Sequence, residues 1–297
     1  SLYVHQEQAT KKAVAGRNVV VATGTGSGKT ESFLIPVLNH LLGERQNGSL
    51  GPGVRALFLY PMNALANDQM KRLRKVLAGF PEITFGRYTG ETIEKFDDAK
   101  AKFTERNPGE PLLENELISR EQMRRTPPNI LLTNYAMLEY LLIRPKDMDL
   151  FEGKSSGAWS YLVVDEAHMY DGALGAELAM LLRRLMDRVK PNRDLHCIAT
   201  SATVGDNPAK VVDFASKLFG VPFEWNPFDS HQQDFVKATR RAPEQGTWGP
   251  LEAVTWVELS EMLTADRNDR LVEIAQQRGA KVATAYDAAA TERSVAQ

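Results

Sequence analysis

Cysteine is almost missing from this 297-residue sequence: Cys197 stands alone, so no disulfide can close within the chain. A reducing, intracellular setting, most simply the cytoplasm, is the expectation. No apolar run approaches the roughly eighteen residues that a membrane-spanning helix needs, which argues against a membrane partner. Ser1-Leu2-Tyr3-Val4-His5 lacks the charged-then-apolar order of a secretory leader. Ser rather than Met at position 1 reads as a segment of a longer protein. Neither sign of charge dominates, since 36 Lys and Arg against 38 Asp and Glu leave a net charge of −2. A surface for nucleic acid would therefore have to be local. Internal repeats are also missing, and the composition excludes collagen-like, mucin-like and supercharged chains.

What is present is an ordinary globular composition, 43% hydrophobic and 25% charged, long enough to bury a substantial core. Short β-branched or aliphatic runs recur at 18–23, 54–60, 83–88, 129–133, 161–165 and 195–201. Several are apolar at successive positions, as strands buried on both faces are. Amphipathic helical patterns at 65–77 and 175–189 separate them, with Leu178, Leu181, Leu182 and Leu185 on one face. The alternation predicts an α/β domain, a mostly parallel sheet covered by helices on both faces. The charged stretch 91–128, with its Asn-Pro-Gly and Thr-Pro-Pro turns, reads as a helical insertion. Beyond Gly220 prolines punctuate an aromatic stretch, followed by a helical pattern at about 256–278 and an Ala-rich tail. The expected organisation is one domain over 1–220 and a connecting segment over 221–297.

The strongest local pattern is Thr23-Gly24-Thr25-Gly26-Ser27-Gly28-Lys29-Thr30, between a strand and a helical run. Glycines let such a loop wrap tightly, so that successive backbone N–H groups face phosphate oxygens. The helix starting there adds its positive end. In this pattern Thr25, Gly26, Ser27 and Gly28 cradle phosphate, Lys29 reaches the β- and γ-phosphates, and Thr30 ligates Mg²⁺. The strict motif wants glycine where Thr23 stands.

Val163-Val164-Asp165-Glu166-Ala167-His168 ends the fifth strand. A carboxylate at that end of a parallel strand, beside a phosphate loop, is placed to hold Mg²⁺ through water. Asp165 takes that role, and Glu166 is positioned to activate the attacking water. His168 differs from His5, His40, His196 and His231, which read as packing or capping residues, because it follows this box directly. No second His or Cys lies at helical spacing from it, so zinc is not indicated.

With both boxes placed, residues 2–204 resemble the N-terminal, RecA-like lobe of a superfamily 2 DEAD/DEAH-box helicase, a P-loop NTPase fold. Gln6 precedes Lys29 by 23 residues, the spacing of that family's adenine-reading glutamine. Tyr60-Pro61-Met62-Asn63-Ala64-Leu65-Ala66-Asn67-Asp68-Gln69 is similar to motif Ia, with Asn63 where Arg is common. Thr89-Gly90 stands at the short glycine motif that touches nucleic-acid backbone, and Thr133-Asn134 at motif Ib. Asp165–His168 spells motif II in its DEAH form, and Ser201-Ala202-Thr203 is motif III. The resemblance implies ATP and Mg²⁺ as cofactors, with Lys29, Asp165 and Glu166 catalytic. It implies coupling through His168, Ser201 and Thr203, and nucleic-acid contacts at Pro61, Asn63, Thr89, Gly90, Thr133 and Asn134.

Segments 63–69, 133–142 and 170–185 are similar to a branch holding Lhr-type and Mrf/Hrq-type DNA repair helicases and large anti-phage helicases of Druantia and DISARM type. The resemblance therefore implies a DNA motor in repair or defence, DNA being favoured over RNA, with partner proteins of such a system possible. It also implies a second RecA-like lobe carrying an arginine finger, and the 93 residues after Val204 show no such series. This chain is accordingly expected to bind ATP, hydrolyse it slowly and not unwind DNA. A nucleotide switch, or a nucleic-acid-binding module of a defence assembly without unwinding, stays as the alternative. Lys71, Arg72, Arg74 and Lys75 after motif Ia read equally as a solvated helix face or as phosphate contacts. Arg124-Arg125 and Arg183-Arg184 read as ordinary surface charge, and Trp225, Trp248 and Trp256 as packing aromatics.

Overall fold

The computed structural model describes residues 2–24, 28–189, 194–202 and 207–238, without the side chains of 153–155. Within them the aliphatic runs form β1 (Val19–Ala22), β2 (Ala56–Tyr60), β3 (Phe85–Arg87), β4 (Glu116–Leu117), β5 (Ile130–Asn134), β6 (Tyr161–Val164), β7 (His196–Ser201) and β8 (Phe235–Lys237). They make one sheet in the order β4-β3-β5-β2-β6-β7-β1-β8, and every pairing is parallel. The helices are α1 (Val4–Val14), α2 (Lys29–Gln46), α3 (Asn63–Leu77), α4 (Phe96–Arg106), α5 (Arg120–Arg125), α6 (Tyr135–Ile143), α7 (Gly172–Val189) and α8 (Pro208–Phe219).

Period-two alternation along the strands sorts their side chains onto two cores. From β1 and β2, Val19, Val21, Ala56, Phe58 and Tyr60 face α1, α2 and α3. The intervening Val20, Ala22, Leu57 and Leu59 face α6, α7 and α8. Burial on both faces is why these strands lack an apolar/polar rhythm, and each such aliphatic contributes about 1.5–3 kcal/mol. Leu178, Leu181, Leu182 and Leu185 of α7 are buried as their spacing requires.

Two strands lie where none is expected. β4 sits within the 91–128 insertion, which also pairs Ile93 with Ser119, so that segment is not purely helical. Two residues are too few to print a period. β8 lies beyond Gly220 and pairs with β1. Arg17 fixes this segment, donating to Asp234 at 2.6 Å and Glu224 at 2.8 Å. Trp225 packs edge-on against Phe235, 6.1 Å between ring centres. β8 therefore belongs to the same compact unit as the rest of the sheet, which ends at Ala238. Trp248, Trp256 and the helical pattern at 256–278 lie outside the described residues.

Register brings the motif-bearing strand ends together. Tyr60 pairs with Asn134, Val164 with both Leu59 and Ala199, and Ala22 with Ser201. Loops leaving these carboxyl ends share one edge of the sheet, where ligands of open parallel sheets bind.

Candidate nucleotide site and nucleic-acid edge

Gly28 caps α2 with φ +78°, a conformation L side chains rarely adopt. It also leaves room for Gln6, whose Nε2 donates to Gly28 O at 2.9 Å while its Oε1 accepts from Tyr3 N at 2.9 Å. The expected adenine reader is thus held against the end of the phosphate loop, both ends of its amide engaged. Thr25, Gly26 and Ser27 lie outside the described residues. Lys29, in the first turn of α2, is buried and donates to Glu166 Oε1 at 2.6 Å.

Asp165 follows β6, and its backbone N–H donates to Leu59 O at 2.9 Å. Thr200 of β7 donates its hydroxyl to Asp165 Oδ1. Burial holds the Asp165 carboxyl above its usual range, and the neighbouring Glu166 charge adds to this, while Thr200 and Lys29 oppose it. Glu166 has φ 51° and ψ 47°, the left-handed region, which costs a non-glycine residue about 1–3 kcal/mol. That conformation aims its N–H at Asp165 Oδ1, 3.1 Å, and Thr200 Oγ1, 3.2 Å. Its Oε2 is buried without a hydrogen-bond partner, 3.3 Å from His168 Nδ1, itself unpartnered. Thr30 Oγ1 accepts from Gln69 Nε2 at 3.2 Å.

Lys29, Asp165, Glu166 and His168 therefore converge, and Thr30 follows Lys29 in the first turn of α2. Ser201 is buried in β7 where it pairs with Ala22, and Thr203 lies outside the described residues. Thr200 and Gln69 are the partners that sequence reading missed. Gln69 stood inside the motif Ia run, and Thr200 directly precedes Ser201, but neither carried a separate signal. Behind the site, the phenols of Tyr60 and Tyr170 are buried without hydrogen-bond partners. Burial and the Asp165 charge push both phenol pKa values up.

At the same sheet edge, Asn134 donates to Asn63 Oδ1 at 2.6 Å, and Asn63 to Glu91 Oε1 at 3.2 Å. Asn134 also caps α6 by accepting from Met137 N at 2.8 Å. Pro61 begins the turn into α3. Thr133 is fully buried and spends its hydroxyl on Tyr88 O, 2.7 Å, so its side chain is a strut and not an open contact. Thr89 is likewise buried, which leaves Gly90 as the exposed part of that turn. Arg120 holds the turn, donating to the carbonyls of Thr89 and Gly90 at 3.2 Å each.

Arg124 is not ordinary surface charge. It donates to the fully buried Asp147 at 2.7 Å, to Tyr88 at 3.1 Å and to Glu94 at 2.5 Å, tying the insertion to the sheet. Arg183 likewise reaches the end of α8, donating to Lys217 O at 2.9 Å.

The profile of the DEAD/DEAH box helicase family matches residues 3–211, most of the chain. The chain belongs to that family. Membership carries a nucleotide-binding fold. The chain is 32% identical over 330 residues to Druantia protein DruE of Escherichia coli (strain UMEA 4076-1), covering 81% of this chain and 18% of that protein. To ATP-dependent helicase hrq1 of Schizosaccharomyces pombe it is 31% identical over 229 residues, covering 74% and 18%. It is similar to the DUF1998 helicase MrfA solved bound to DNA, with TM-score 0.55, 27% identity, and coverage of 80% of this chain and 26% of MrfA. The chain spans between 18% and 28% of the length of the curated relatives it matches. Among the described residues no helix is long and apolar enough to cross a membrane.

Proposed function

We propose that this chain is the ATP-binding lobe of a motor that moves on DNA, in repair or anti-phage defence, against a second RecA-like lobe. The carrying observation is the buried Lys29–Glu166 pair beside Asp165, on the sheet edge that also bears the Asn63–Asn134 contact. One end of this edge suits a nucleotide and the other a phosphodiester backbone. MrfA, solved bound to DNA, supports DNA as the track.

The residues present fit Mg²⁺. A hydroxyl at Thr30 and a carboxylate at Asp165 are hard oxygen donors, and Mg²⁺ commonly keeps waters alongside one or two carboxylates. No cluster of three or more His, Cys, Asp or Glu forms a protein-only cage among the described residues. The ion would neutralise charge between phosphates. Lys29 exchanges Glu166 for phosphate oxygens as nucleotide enters. Glu166, freed, accepts a proton from water at its Oε1 or at its Oε2, which faces His168. Thr200 keeps Asp165 oriented throughout. Asn63, Gly90 and Asn134 meet the backbone without reading bases, as a sequence-independent motor requires. Transition-state charge would be completed by an arginine of the second lobe.

Single-strand DNA affinity measured with and without a non-hydrolysable ATP analogue tests this reading. The analogue changes the affinity several-fold in the parent, and Lys29→Ala abolishes the change. DNA binding indifferent to nucleotide would identify a binding module. Nucleotide binding without DNA affinity would identify a switch.

A further inference from the structure

The helix face after motif Ia carries more than solvated charge. Between α3 and α4 lies a groove of about 320 Å³, floored by β3 and β4. Five cations line it: Lys71 and Arg74 from α3, Arg87 from β3, and Lys102 and Arg106 from α4. Glu91 and Glu116 are its acidic lining residues, so the lining carries a net charge of +3.

The five cations divide into two sets. Arg74 is held bidentate by Glu116, at 2.7 and 2.8 Å, reaches Glu110 at 3.0 Å, and lies over the Phe103 ring at 4.9 Å. Arg87 donates to Asn67 and Glu91. These two arginines are spent on joining α3, β3 and the insertion. Lys71, Lys102 and Arg106 have no ion-pair partner among the described residues, and they stand at the rim. A wall of paired arginines under three uncommitted cations is a rigid basic groove, not a fringe of mobile side chains.

The groove also continues the edge already described. Glu91 lines it and accepts from Asn63, which accepts in turn from Asn134. Asn63 begins α3, and Lys71 lies eight residues along it, roughly 12 Å at 1.5 Å per residue. A strand leaving the edge would cover that distance in at most about four nucleotides, the number needed at the stacked spacing of about 3.4 Å each.

We infer that the α3–α4 groove is a second phosphate-backbone subsite, taking the nucleic-acid arm that leaves the Asn63–Asn134 edge through Lys71, Lys102 and Arg106. This rests on the reading of that edge as a nucleic-acid contact. Continuity with the edge favours nucleic acid over an acidic protein segment. The 91–128 insertion then has a function beyond capping the sheet, since it supplies two of the three free cations.

The test compares the 297-residue chain with its K102A/R106A variant on two oligothymidylates, a short one filling the edge alone and one about four nucleotides longer. Both side chains are at least partly exposed, and unchanged thermal unfolding confirms an intact fold. The longer oligonucleotide is expected to bind the variant about tenfold more weakly at low salt. Its log-affinity against log-salt slope should fall by about 1.4, two contacts at about 0.7 each. The short one should bind both proteins alike. Equal affinities of parent and variant for the longer oligonucleotide would overturn the groove and leave the edge standing. Equal losses on both lengths would also overturn it, since the cations would then act as a diffuse field. A parent that binds neither length overturns the edge and the groove together. Polyglutamate binding that depends on Lys102 and Arg106, with oligothymidylate binding unaffected, would assign the groove to an acidic protein instead.

Discussion

Replacing Gly28 by alanine probes the phosphate loop through a residue that makes no side-chain contact of its own. A Cβ built there would stand 2.3 Å from Gln6 Nε2, well inside any tolerated contact, and 3.1 Å from Glu31 Oε2. The substitution carries two separable costs. Alanine at φ +78° pays about 1–2 kcal/mol for the left-handed conformation. Displacing Gln6 forfeits its 2.9 Å hydrogen bond to Gly28 O, a further 0.5–1.5 kcal/mol or so. The sum, about 2–3 kcal/mol, is spent in folding stability if the loop holds its shape. It appears in ATP affinity, as a loss of about 30- to 150-fold, if the loop relaxes and must be reset on binding. Urea unfolding and fluorescent-nucleotide titration together capture both routes. A double-mutant cycle then isolates the clash. In a Gln6→Ala background only the backbone cost remains, so the two substitutions should couple by about 1 kcal/mol. Additive losses, with coupling below about 0.3 kcal/mol, would show that Gln6 does not rest on Gly28, and the reasoning would fall.

Glu166→Gln removes the proton acceptor and the Lys29 counter-charge together. Phosphate release should drop by about 10²–10⁴-fold with ATP binding retained, and release within about threefold of the parent would count against Glu166 as base. Asp165 is held above the usual carboxyl range by burial, so the native state keeps its proton to higher pH than the unfolded chain. Its contribution is then most favourable below about pH 3.9 and is lost as pH rises through the native value. Asp165→Asn should therefore raise the melting temperature at pH 7, have little effect near pH 3, and abolish turnover. Arg124→Ala leaves the buried Asp147 with Arg144, 3.3 Å away, as its remaining cation, and should cost about 3 kcal/mol in urea unfolding. Cys197 is buried in β7 and burial pushes its thiol up, so thiol-reagent labelling should proceed only at the unfolding rate. Rapid labelling of the native chain would contradict that packing.

The parts legible in the sequence are those whose chemistry is local. The loop at 23–30 and the box at 165–168 each need several residues of fixed type in a row, because backbone N–H groups and a strand-end carboxylate must follow one another without gaps. The aliphatic strands are legible for a similar reason: burial on both faces leaves no polar position to interrupt them. Thr200 carries no such mark. It matters because β7 lies beside β6 and the register sets Ala199 opposite Val164, one residue before Asp165, a fact of pairing and not of spacing. Gln69 reaches Thr30 from a different helix in the same way. Both become visible only when strand order is known.

Charge is the property that the linear reading handled least well, and the reason is physical. A guanidinium on a helix looks the same in a sequence whether water or a carboxylate surrounds it. Arg124 and Arg125 are adjacent, yet Arg124 is clamped by Asp147, Glu94 and Tyr88, while Arg125 is exposed and has no ion-pair partner among the described residues. Arg74 and Lys71 repeat the contrast across one turn of α3, the first sealed by Glu116 and the second open at the groove. What decides each case is an acidic residue from a distant part of the chain: Asp147, in the short helix Pro145–Leu150 after α6, for Arg124, and Glu116, in the short strand β4, for Arg74. The same folding step that neutralises Arg74 and Arg124 leaves Lys71, Lys102 and Arg106 uncommitted. A chain with net charge −2 can thereby present a basic groove: the buried Glu116 is spent on Arg74, and Lys71, Lys102 and Arg106 line the groove without an ion-pair partner among the described residues.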